Sequence, residues 1–395
     1  MKLSQIIPYL TVFSIFLITA CSVQWTETIK YGRIVNETFN EKVNIEVNKG
    51  LIFLPVNIHG KEYRFLFDSG APFSISEQLQ SEYAFKIVSN GNIIDSDHNR
   101  KKVDWVQVDS ILIGDVLFED HVAFIGNFKT NHMLKCLNID GIVGSNIIRQ
   151  CNWTIDQTIN SLSLFNSINI EDFKDHTAIP FKTDHQYNIF VDIAFGRSKV
   201  SNILVDYGSN GAIALNNEIF SILTDRNVFG EIHLENGYQQ SGIIGEAVQI
   251  NRKITFTDSV DINGMQVENV MLKTGPTVSV GNELLSRFNL TIDWENQRLY
   301  LNRNGKPSHS NRSPGFRLGF SNDKGVYVQS VIEGSNAYQN GIRPNMKVMK
   351  VDNLDFENGD DFCDFVNHAL GDKIFMQLTD NLGQELECII ERTVY

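Results

Sequence analysis

The sequence contains few cysteines and prolines, and it lacks the short signatures of common zinc and serine chemistry. Five cysteines and eight prolines occur among 395 residues. No Cys-x-x-Cys, His-Glu-x-x-His or Gly-x-Ser-x-Gly segment is present. The first two would supply zinc ligands and the third a serine nucleophile. The sequence therefore predicts no metal and no organic cofactor.

Positive charge is also scarce. Lys and Arg total 34 against 47 Asp and Glu, which gives a net charge of −13, and the longest basic run is Arg100–Lys102. Binding to a phosphate backbone needs a clustered positive surface, so we expect no nucleic-acid partner. With 42% hydrophobic and 21% charged residues, the composition is that of a globular protein, and the length allows more than one domain.

The N-terminal apolar segment is too short for a membrane span. Ile6–Ala20 falls below the about 20 residues that a helix needs to cross a bilayer, and it is typical of a signal peptide. It ends in Leu17–Cys21, which resembles a bacterial lipobox, where the cysteine is lipidated and becomes the mature N-terminus. We expect residues 1–20 to be a lipoprotein signal peptide and residues 21–40 a tether. An ordinary signal peptide is the alternative.

Two segments share a pattern of an apolar strand followed by Asp-x-Gly. Phe65–Ala71 reads Phe-Leu-Phe-Asp-Ser-Gly-Ala, and Ile203–Ser209 reads Ile-Leu-Val-Asp-Tyr-Gly-Ser. In each, a glycine permits a tight turn next to the carboxylate. Two such loops brought face to face would place Asp68 and Asp206 around one water, an arrangement that can hydrolyse a peptide without a metal or a covalent intermediate.

A second motif follows each loop at nearly the same distance from its aspartate. Gly144–Asp156 reads GSNIIRQCNWTID, and Gly281–Asp293 reads GNELLSRFNLTID. One Asp-x-Gly is a weak signal, but its recurrence with the same second motif predicts an internal duplication. We expect an N-terminal lobe over residues 41–170 and a C-terminal lobe over residues 171–301, related by a pseudo-two-fold axis.

Strand patterns prevail within the repeats. Ile52–Ile58 is mostly apolar, and the apolar residues Tyr63, Phe65 and Phe67 alternate along the next segment. Short strands between glycine and asparagine turns predict a mainly β fold.

Over about residues 40 to 300, the chain resembles aspartic peptidases of the retropepsin and pepsin kind. Asp68–Ala71 matches their Asp-Thr/Ser-Gly-Ala/Ser motif, and Ile142–Gly144 and Val278–Gly281 resemble the segment that closes each lobe. The resemblance implies a bilobed double-β-barrel with a cleft between the lobes and with Asp68 and Asp206 as the catalytic pair. It also implies supporting roles around the pair for Ser69, Gly70, Ala71, Gly208 and Ser209, and lobe-closing roles for Gly144 and Gly281.

The chemistry of such a pair follows from charge repulsion. Two carboxylates about 3 Å apart cannot both ionise, so they share one proton. The ionised partner takes a proton from the attacking water, and the protonated partner stabilises the oxyanion. Because Ser209 can donate a hydrogen bond and Ala71 cannot, we expect Asp206 to be the more readily ionised partner.

The second loop departs from the family pattern at Tyr207, where the family has Thr or Ser. The resemblance implies that this hydroxyl locks the two loops together. A phenol does not fit the same small space, so half of the interlock is expected to be remodelled or lost. A displacement of about 1 Å can lower a rate about a hundredfold, and Tyr207 therefore bears directly on activity.

The C-terminal segment has a different character. Residues 302–314 read as a linker. Residues 315–395 resemble a bacterial PDZ domain, a small α/β module, through Gly315–Phe320 and Gly334–Val348. The resemblance implies that Leu318, Gly319 and Phe320 bind a peptide C-terminus or an extended segment beside a helix at residues 360–369. The alternative is a PDZ-like fold used only for packing.

Two hairpins are candidates for flaps over the cleft, Ser89–Asp104 and Glu235–Gly245, although exposed hairpins without a function fit equally well. Export makes disulfides permissible. If each bond stays within one domain, the plausible pairs are Cys136 with Cys151 and Cys363 with Cys388. Buried free thiols are the alternative.

These observations together predict a membrane-anchored aspartic endopeptidase that hydrolyses extended polypeptides and recruits peptides through the PDZ module. Its partners would be a polypeptide substrate and the membrane. Its place would be the cell envelope, lipid-anchored to a bacterial membrane on the periplasmic or surface face. The alternative is a catalytically inactive peptide-binding lipoprotein that serves as a scaffold.

Overall fold

The structure is a computed structural model that describes residues 24–245, 247–305, 312–359, 361–367 and 369–394. The predicted signal peptide, Cys21 and residues 306–311 of the predicted linker lie outside these residues. The fold is mainly β, with 51% strand and 13% helix, which confirms the predicted class. Among the described residues, every helix is too short or too polar to cross a membrane.

Among the described residues, the first part of the chain has four short helices and twelve strands, nine of which form one sheet. Its helices are α1 (Trp25–Thr28), α2 (Glu77–Tyr83), α3 (His132–Leu137) and α4 (Ser145–Ile148). Its strands are β1 (Arg33–Ile34), β2 (Asn40–Asn44), β3 (Glu46–Asn48), β4 (Leu51–Ile58), β5 (Lys61–Phe67), β6 (Ser74–Ser76), β7 (Lys86–Ile94), β8 (Arg100–Ile113), β9 (Val116–Gly126), β10 (Gly141–Val143), β11 (Asn152–Asp156) and β12 (Ser161–Phe165).

A 3₁₀ turn at Ile170–Phe173 leads into the second part. Its helices are α5 (Asn217–Asp225) and α6 (Asn282–Leu285). Its strands are β13 (Thr177–Pro180), β14 (Lys182–Thr183), β15 (Ile189–Phe195), β16 (Ser198–Val205), β17 (Ile213–Leu215), β18 (His233–Gln239), β19 (Val248–Ile262), β20 (Met265–Thr274), β21 (Ser279–Val280), β22 (Phe288–Asp293) and β23 (Arg298–Arg303).

The C-terminal module, residues 312–394, has its own core. Its helices are α7 (Asn336–Gln339) and α8 (Phe362–Asn367). Its strands are β24 (Arg312–Ser313), β25 (Phe316–Ser321), β26 (Gly325–Ile332), β27 (Lys347–Val351), β28 (Leu354–Asp355), β29 (Lys373–Thr379), β30 (Glu385–Glu391) and β31 (Thr393–Val394). The sequence predicts a helix at residues 360–369, and α8 lies within that range.

The two repeats use the same strand pairings. β5 lies parallel to β10, and its counterpart β16 lies parallel to β21. β6 joins β10 antiparallel and β9 parallel, as β17 joins β21 and β20. Tight turns connect the hairpins β4–β5 and β19–β20, where His59-Gly60 and Asn263-Gly264 have positive φ, the conformation that such two-residue turns require.

The repeats meet at their second motifs. β11 and β22 are antiparallel neighbours, and Thr154 lies directly opposite Thr291, with 2.7 Å between the hydroxyl oxygens. These threonines occupy the same position in the two motifs. On either side, Trp153 faces Ile292 and Ile155 faces Leu290. The register is self-complementary. The two central threonines face each other, and the residue before the threonine in one motif faces the residue after it in the other.

The cysteines do not pair as expected. Cys136 of α3 forms a disulfide with Cys363 of α8, while Cys151 is a buried thiol and Cys388 a half-buried one. Our prediction assumed bonds within a domain and is wrong because α3 packs directly on α8. The disulfide therefore connects the first part of the chain to the C-terminal module.

The C-terminal module is also joined to the second part. β26 extends the second sheet by pairing with β18, where Asn236 lies opposite Val331. Beside this ladder, the buried Glu235 carboxylate accepts a 2.6 Å hydrogen bond from Ser330 and contacts the Arg317 guanidinium at 3.2 Å. The module thus contacts both parts of the chain.

Candidate active site

The first aspartate ends a buried strand. β5 delivers Asp68 to a turn next to β10, where the Asp68 N–H donates to the Val143 carbonyl at 3.0 Å. The strand is held by its apolar face, since Phe65 and Phe67 are fully buried. The Gly70 N–H then donates to the Asp68 carboxylate at 2.8 Å and fixes its direction.

The second aspartate is positioned by the same contacts. The Asp206 N–H donates to the Val280 carbonyl at 2.9 Å, and the Gly208 N–H donates to the Asp206 carboxylate at 2.9 Å. Both carboxyl groups keep partial contact with solvent.

The two loops face each other through their glycines. A methyl group added at Gly70 would lie 2.9 Å from the Asp206 carboxyl carbon, and one added at Gly208 would lie 2.4 Å from the Asp68 carboxyl carbon. Each carboxyl group therefore packs against the glycine of the opposite loop. This places Asp68 and Asp206 side by side, as the sequence predicts, and it explains why both loops need glycine at this position.

Ser69 connects the loops from below. It is buried, its hydroxyl donates to the Val205 carbonyl at 2.6 Å, and it accepts the Tyr207 N–H at 3.2 Å. One half of the expected interlock is therefore present. Because this bond links the backbones that carry both aspartates, it fixes the distance between them.

Tyr207 replaces the other half with packing. Its ring is 1% exposed and lies edge-on to Phe67, with ring centroids 5.6 Å apart. Its hydroxyl has no hydrogen-bond partner within the described residues, and burial raises the pKa of the phenol well above its usual range. The phenol fills the space under the loops without joining them.

We expect Tyr207→Phe to raise the free energy of unfolding by about 1 kcal/mol, because it removes a buried polar group that lacks a partner and keeps the ring in place. Urea denaturation of both proteins measures the change. A loss of stability of about 1 kcal/mol or more would contradict the packing role and reveal a partner for the hydroxyl.

The lobe-closing glycines, Gly144 and Gly281, pack closely against the backbone of the two aspartate loops. A methyl group at Gly144 would lie 2.3 Å from the Ala71 carbonyl oxygen, and one at Gly281 would lie 2.6 Å from the Ser209 carbonyl oxygen. The same two carbonyls accept hydrogen bonds of 2.8 Å from the N–H groups of Ser145 and Asn282. Ala71 and Ser209 thus occupy matching places.

Sequence reasoning missed two asparagines that follow these glycines. The buried Asn146 accepts the Phe73 N–H at 2.7 Å and donates to the Val122 carbonyl at 3.0 Å. The buried Asn282 donates to the Tyr207 carbonyl at 2.6 Å. The sequence shows them as Gly-Ser-Asn in the first motif and Gly-Asn in the second. Because the asparagines are offset by one position, the sequence did not indicate that both are buried side chains that bind backbone groups.

Burial raises the pKa of both carboxyl groups, that of Asp68 to about 6 and that of Asp206 to about 8. At Asp68 the burial effect is partly offset by three backbone N–H groups, from Gly70, Gly208 and Ala71. At Asp206 the neighbouring Asp68 charge raises the pKa further, while the N–H groups of Gly208 and Ser209 and the Lys273 ammonium lower it.

The pKa of Asp68 is raised less than that of Asp206, which favours Asp68 as the ionised partner, whereas our prediction named Asp206. That prediction relied on a hydrogen bond from the Ser209 side chain. In the structure Ser209 acts on Asp206 through its backbone N–H, and its hydroxyl faces the Gly211 N–H at 3.5 Å. The largest causes of the raised pKa of Asp206 are its burial and the neighbouring Asp68 charge, which residue types do not reveal.

The two predicted flap hairpins are formed by β7–β8 and β18–β19, and their tips meet. The Asp97 carboxylate accepts the N–H groups of Ser241 and Gly242 at 2.6 and 2.7 Å, and the Asp95 carboxylate accepts the Ile244 N–H at 3.1 Å. We call these contacts, with those of Asn131 to the same loop, the clasp. No sequence pattern indicated that the tips bind each other.

The clasp lies on the side of the first aspartate loop. Ile243, at its tip, packs against an apolar cluster that Ala71 also contacts. The members of this cluster are Leu51, Phe53, Leu66, Phe128, Ile139 and Ile142. An apolar surface therefore adjoins Asp68, and the second part of the chain covers a portion of it.

The predicted peptide-binding residues of the module lie on β25. Leu318 is buried, Gly319 lies against Gln329, and Phe320 packs on His132 of α3, with ring centroids 4.1 Å apart. In this structure α3 therefore lies against β25.

The described ranges contain no group of three or more His, Cys, Asp or Glu side chains that could hold a metal ion. The side chains that converge between the loops are two carboxyl groups, backed by backbone N–H donors and one serine hydroxyl.

One protein-family model, described as aspartyl protease, matches residues 54–147. The matched segment contains Asp68–Ala71 and ends just after Gly144, so it covers the first aspartate loop and the glycine that closes it. No curated protein matches the chain. The match and the loop geometry together identify residues 54–147 as an aspartic-protease-like domain.

Proposed function

We propose that this protein is an aspartic endopeptidase that hydrolyses extended polypeptides with a water held between Asp68 and Asp206. The observation that carries the proposal is the reciprocal packing of each carboxyl group on the glycine of the opposite loop. Residues so far apart in the chain meet in this way only if both loops are built for the pair.

The order of ionisation assigns the roles. Ionised Asp68 takes a proton from the water as the oxygen attacks the scissile carbonyl. Protonated Asp206 donates a hydrogen bond to the carbonyl oxygen and stabilises the negative charge that develops there. Collapse of the tetrahedral intermediate breaks the C–N bond, and the leaving nitrogen receives the proton that Asp68 took from water.

We further propose that residues 41–301 form two lobes that arose by duplication. The matched strand pairings and the self-complementary register of β11 and β22 support this. The family match covers the first repeat alone. The proposal that the second loop is also catalytic therefore depends on its own contacts, in which Asp206, Gly208 and Gly281 take the places of Asp68, Gly70 and Gly144.

The proposed mechanism predicts a bell-shaped pH dependence. Activity needs one proton on the pair, so kcat is expected to rise as the pair loses its first proton near pH 6 and to fall as it loses its second near pH 8. Cleavage of an unfolded polypeptide, measured from about pH 3 to about pH 10, tests this. A maximum below about pH 4 would show that the pair is not shielded as described.

A peptide-binding scaffold without activity is the second candidate, and Tyr207 favours it because the phenol replaces half of the interlock. The same titration separates the two. Cleavage products that accumulate with time support the enzyme. Binding of the polypeptide at every pH without cleavage supports the scaffold.

We also propose that the C-terminal module is of the PDZ kind and that Cys21 carries a lipid that anchors the protein to a bacterial membrane. The sequence motifs support both proposals. The placement of α8 alongside β25 across one apolar core supports the first, since PDZ domains bind peptides between a strand and a helix.

A further inference from the structure

Helix α3 links three parts of the molecule. On one side, His132 packs on Phe320 of β25, and Cys136 packs against the core of the C-terminal module and is bonded to Cys363 of α8. The helix thus occupies the surface between β25 and α8. Nearby, the Lys49 ammonium donates to the Val366 carbonyl at the same helix α8.

The N-terminal end of α3 holds the clasp. Asn131 is fully buried, and its carboxamide donates to the carbonyls of Gln240 and Gly242 at 3.1 and 3.0 Å. The oxygen of the same carboxamide accepts the Met133 N–H at 2.8 Å and caps the helix. Because one carboxamide makes all three bonds, a shift of α3 must either break its cap or pull on the loop.

The loop returns to the module through β18. This strand ends at Gln239, where the loop begins, and it pairs with β26 of the module. Glu333 strengthens this pairing near the start of β18, donating its N–H to the Leu234 carbonyl at 2.7 Å and accepting from the Asn236 side chain at 2.6 Å. The module, α3 and the loop therefore form a closed ring of contacts. Within this ring the disulfide is the covalent bond that is not part of the main chain.

We propose that α3 is the built-in ligand of the C-terminal module and that the Cys136–Cys363 disulfide is a redox latch that keeps the clasp closed. While the bond is intact, α3 cannot leave the module, and Asn131 stays in place against the loop. When the bond is reduced, α3 is held by noncovalent contacts alone, and the loop loses its fixed anchor.

The chemistry of release is thiol–disulfide exchange with a dithiol reductant. One thiolate of the reductant attacks a sulfur of the bond, the other protein sulfur leaves and takes a proton, and the second thiol of the reductant resolves the mixed disulfide. The protein gains two thiols, and the reductant becomes a disulfide. The inference concerns the loop and stands whether or not the chain cleaves peptides.

Hydrogen exchange of the full chain tests the latch. Exchange of the amides in residues 239–245 is compared between the oxidised protein and the protein reduced with dithiothreitol. We expect about tenfold faster exchange after reduction, as for the loss of one or two hydrogen bonds, with β26, β27 and β29 unchanged. Equal exchange in the loop would overturn the proposal, and so would loss of protection throughout the module.

Variants confirm which contact transmits the effect. Cys136→Ser combined with Cys363→Ser should reproduce the reduced state without any reductant, whereas Cys388→Ser, which breaks no bond, should leave exchange in the loop unchanged. Asn131→Ala should speed exchange in the loop while the disulfide is intact, and reduction should then add little. A further effect of reduction of about tenfold in Asn131→Ala would show that α3 does not act through Asn131.

Discussion

Replacing either Asp68 or Asp206 by asparagine is expected to lower kcat for hydrolysis of an unfolded polypeptide by at least about a thousandfold. In Asp68→Asn the carboxamide could not take a proton from the water, and in Asp206→Asn a neutral amide would replace the acidic O–H that stabilises the oxyanion. Since both side chains keep their shape, binding should change little, and the loss should appear in kcat rather than in KM.

The measurement is single-turnover cleavage at the pH of maximum wild-type activity. Asp258→Asn serves as the control, because Asp258 is an exposed carboxylate on β19 and its replacement should retain full activity. If one of the two active-site variants kept activity within about tenfold of the wild type, the shared-proton mechanism would be excluded. If both variants bound the polypeptide as tightly as an uncleaving wild type, the scaffold would be the better description.

The pair itself was predictable from the sequence because its signal is local and repeated. An apolar strand before Asp-x-Gly, and the same second motif after it, depend on near neighbours in the chain and on glycines that no other residue could replace. The interlock through Ser69 was expected from the family resemblance, and the structure contains the Ser69 half of it. The mainly β fold followed from alternation and turn residues.

Contacts between distant segments were not predictable. The Cys136–Cys363 bond, the packing of His132 on Phe320 and the hold of Asn131 on Gln240 join segments that sequence patterns treat as separate. Each depends on how the module lies against the first part of the chain. Nothing in the spacing of five cysteines encodes that placement.

Our expectation for the ionisation order rested on residue types alone. Residue types show which side chains can donate to a carboxylate, and they pointed to Ser209. They do not show how many backbone N–H groups converge on each carboxyl group or how near Lys273 lies to the second loop. Electrostatics at this site is set by backbone direction and burial, which only the folded chain provides.

The raised pKa values predict that Asp206 destabilises the fold in alkaline solution. Its pKa rises from an ordinary value of 3.8 to about 8 on folding. Between these values the folded state binds more protons than the unfolded state, so stability falls as pH rises through this window. Below pH 3.8 the carboxyl group is mostly protonated in both states, and asparagine is a close substitute for it.

Asp206→Asn should therefore match the wild type in stability at about pH 3.5 and exceed it at about pH 9 by on the order of 3 kcal/mol. This expected difference in the free energy of unfolding is smaller than the whole pKa shift would give, because Asp206 keeps some contact with water. Urea denaturation at the two pH values measures both free energies, with Asp258→Asn as the variant that should gain nothing at either pH. If Asp206→Asn gains stability in alkaline solution and the wild type shows no activity, the carboxyl groups are paired and shielded even though the pair does not hydrolyse peptides. If the two proteins are equally stable there, Asp206 is hydrated and Asp68 has no partner with which to share a proton.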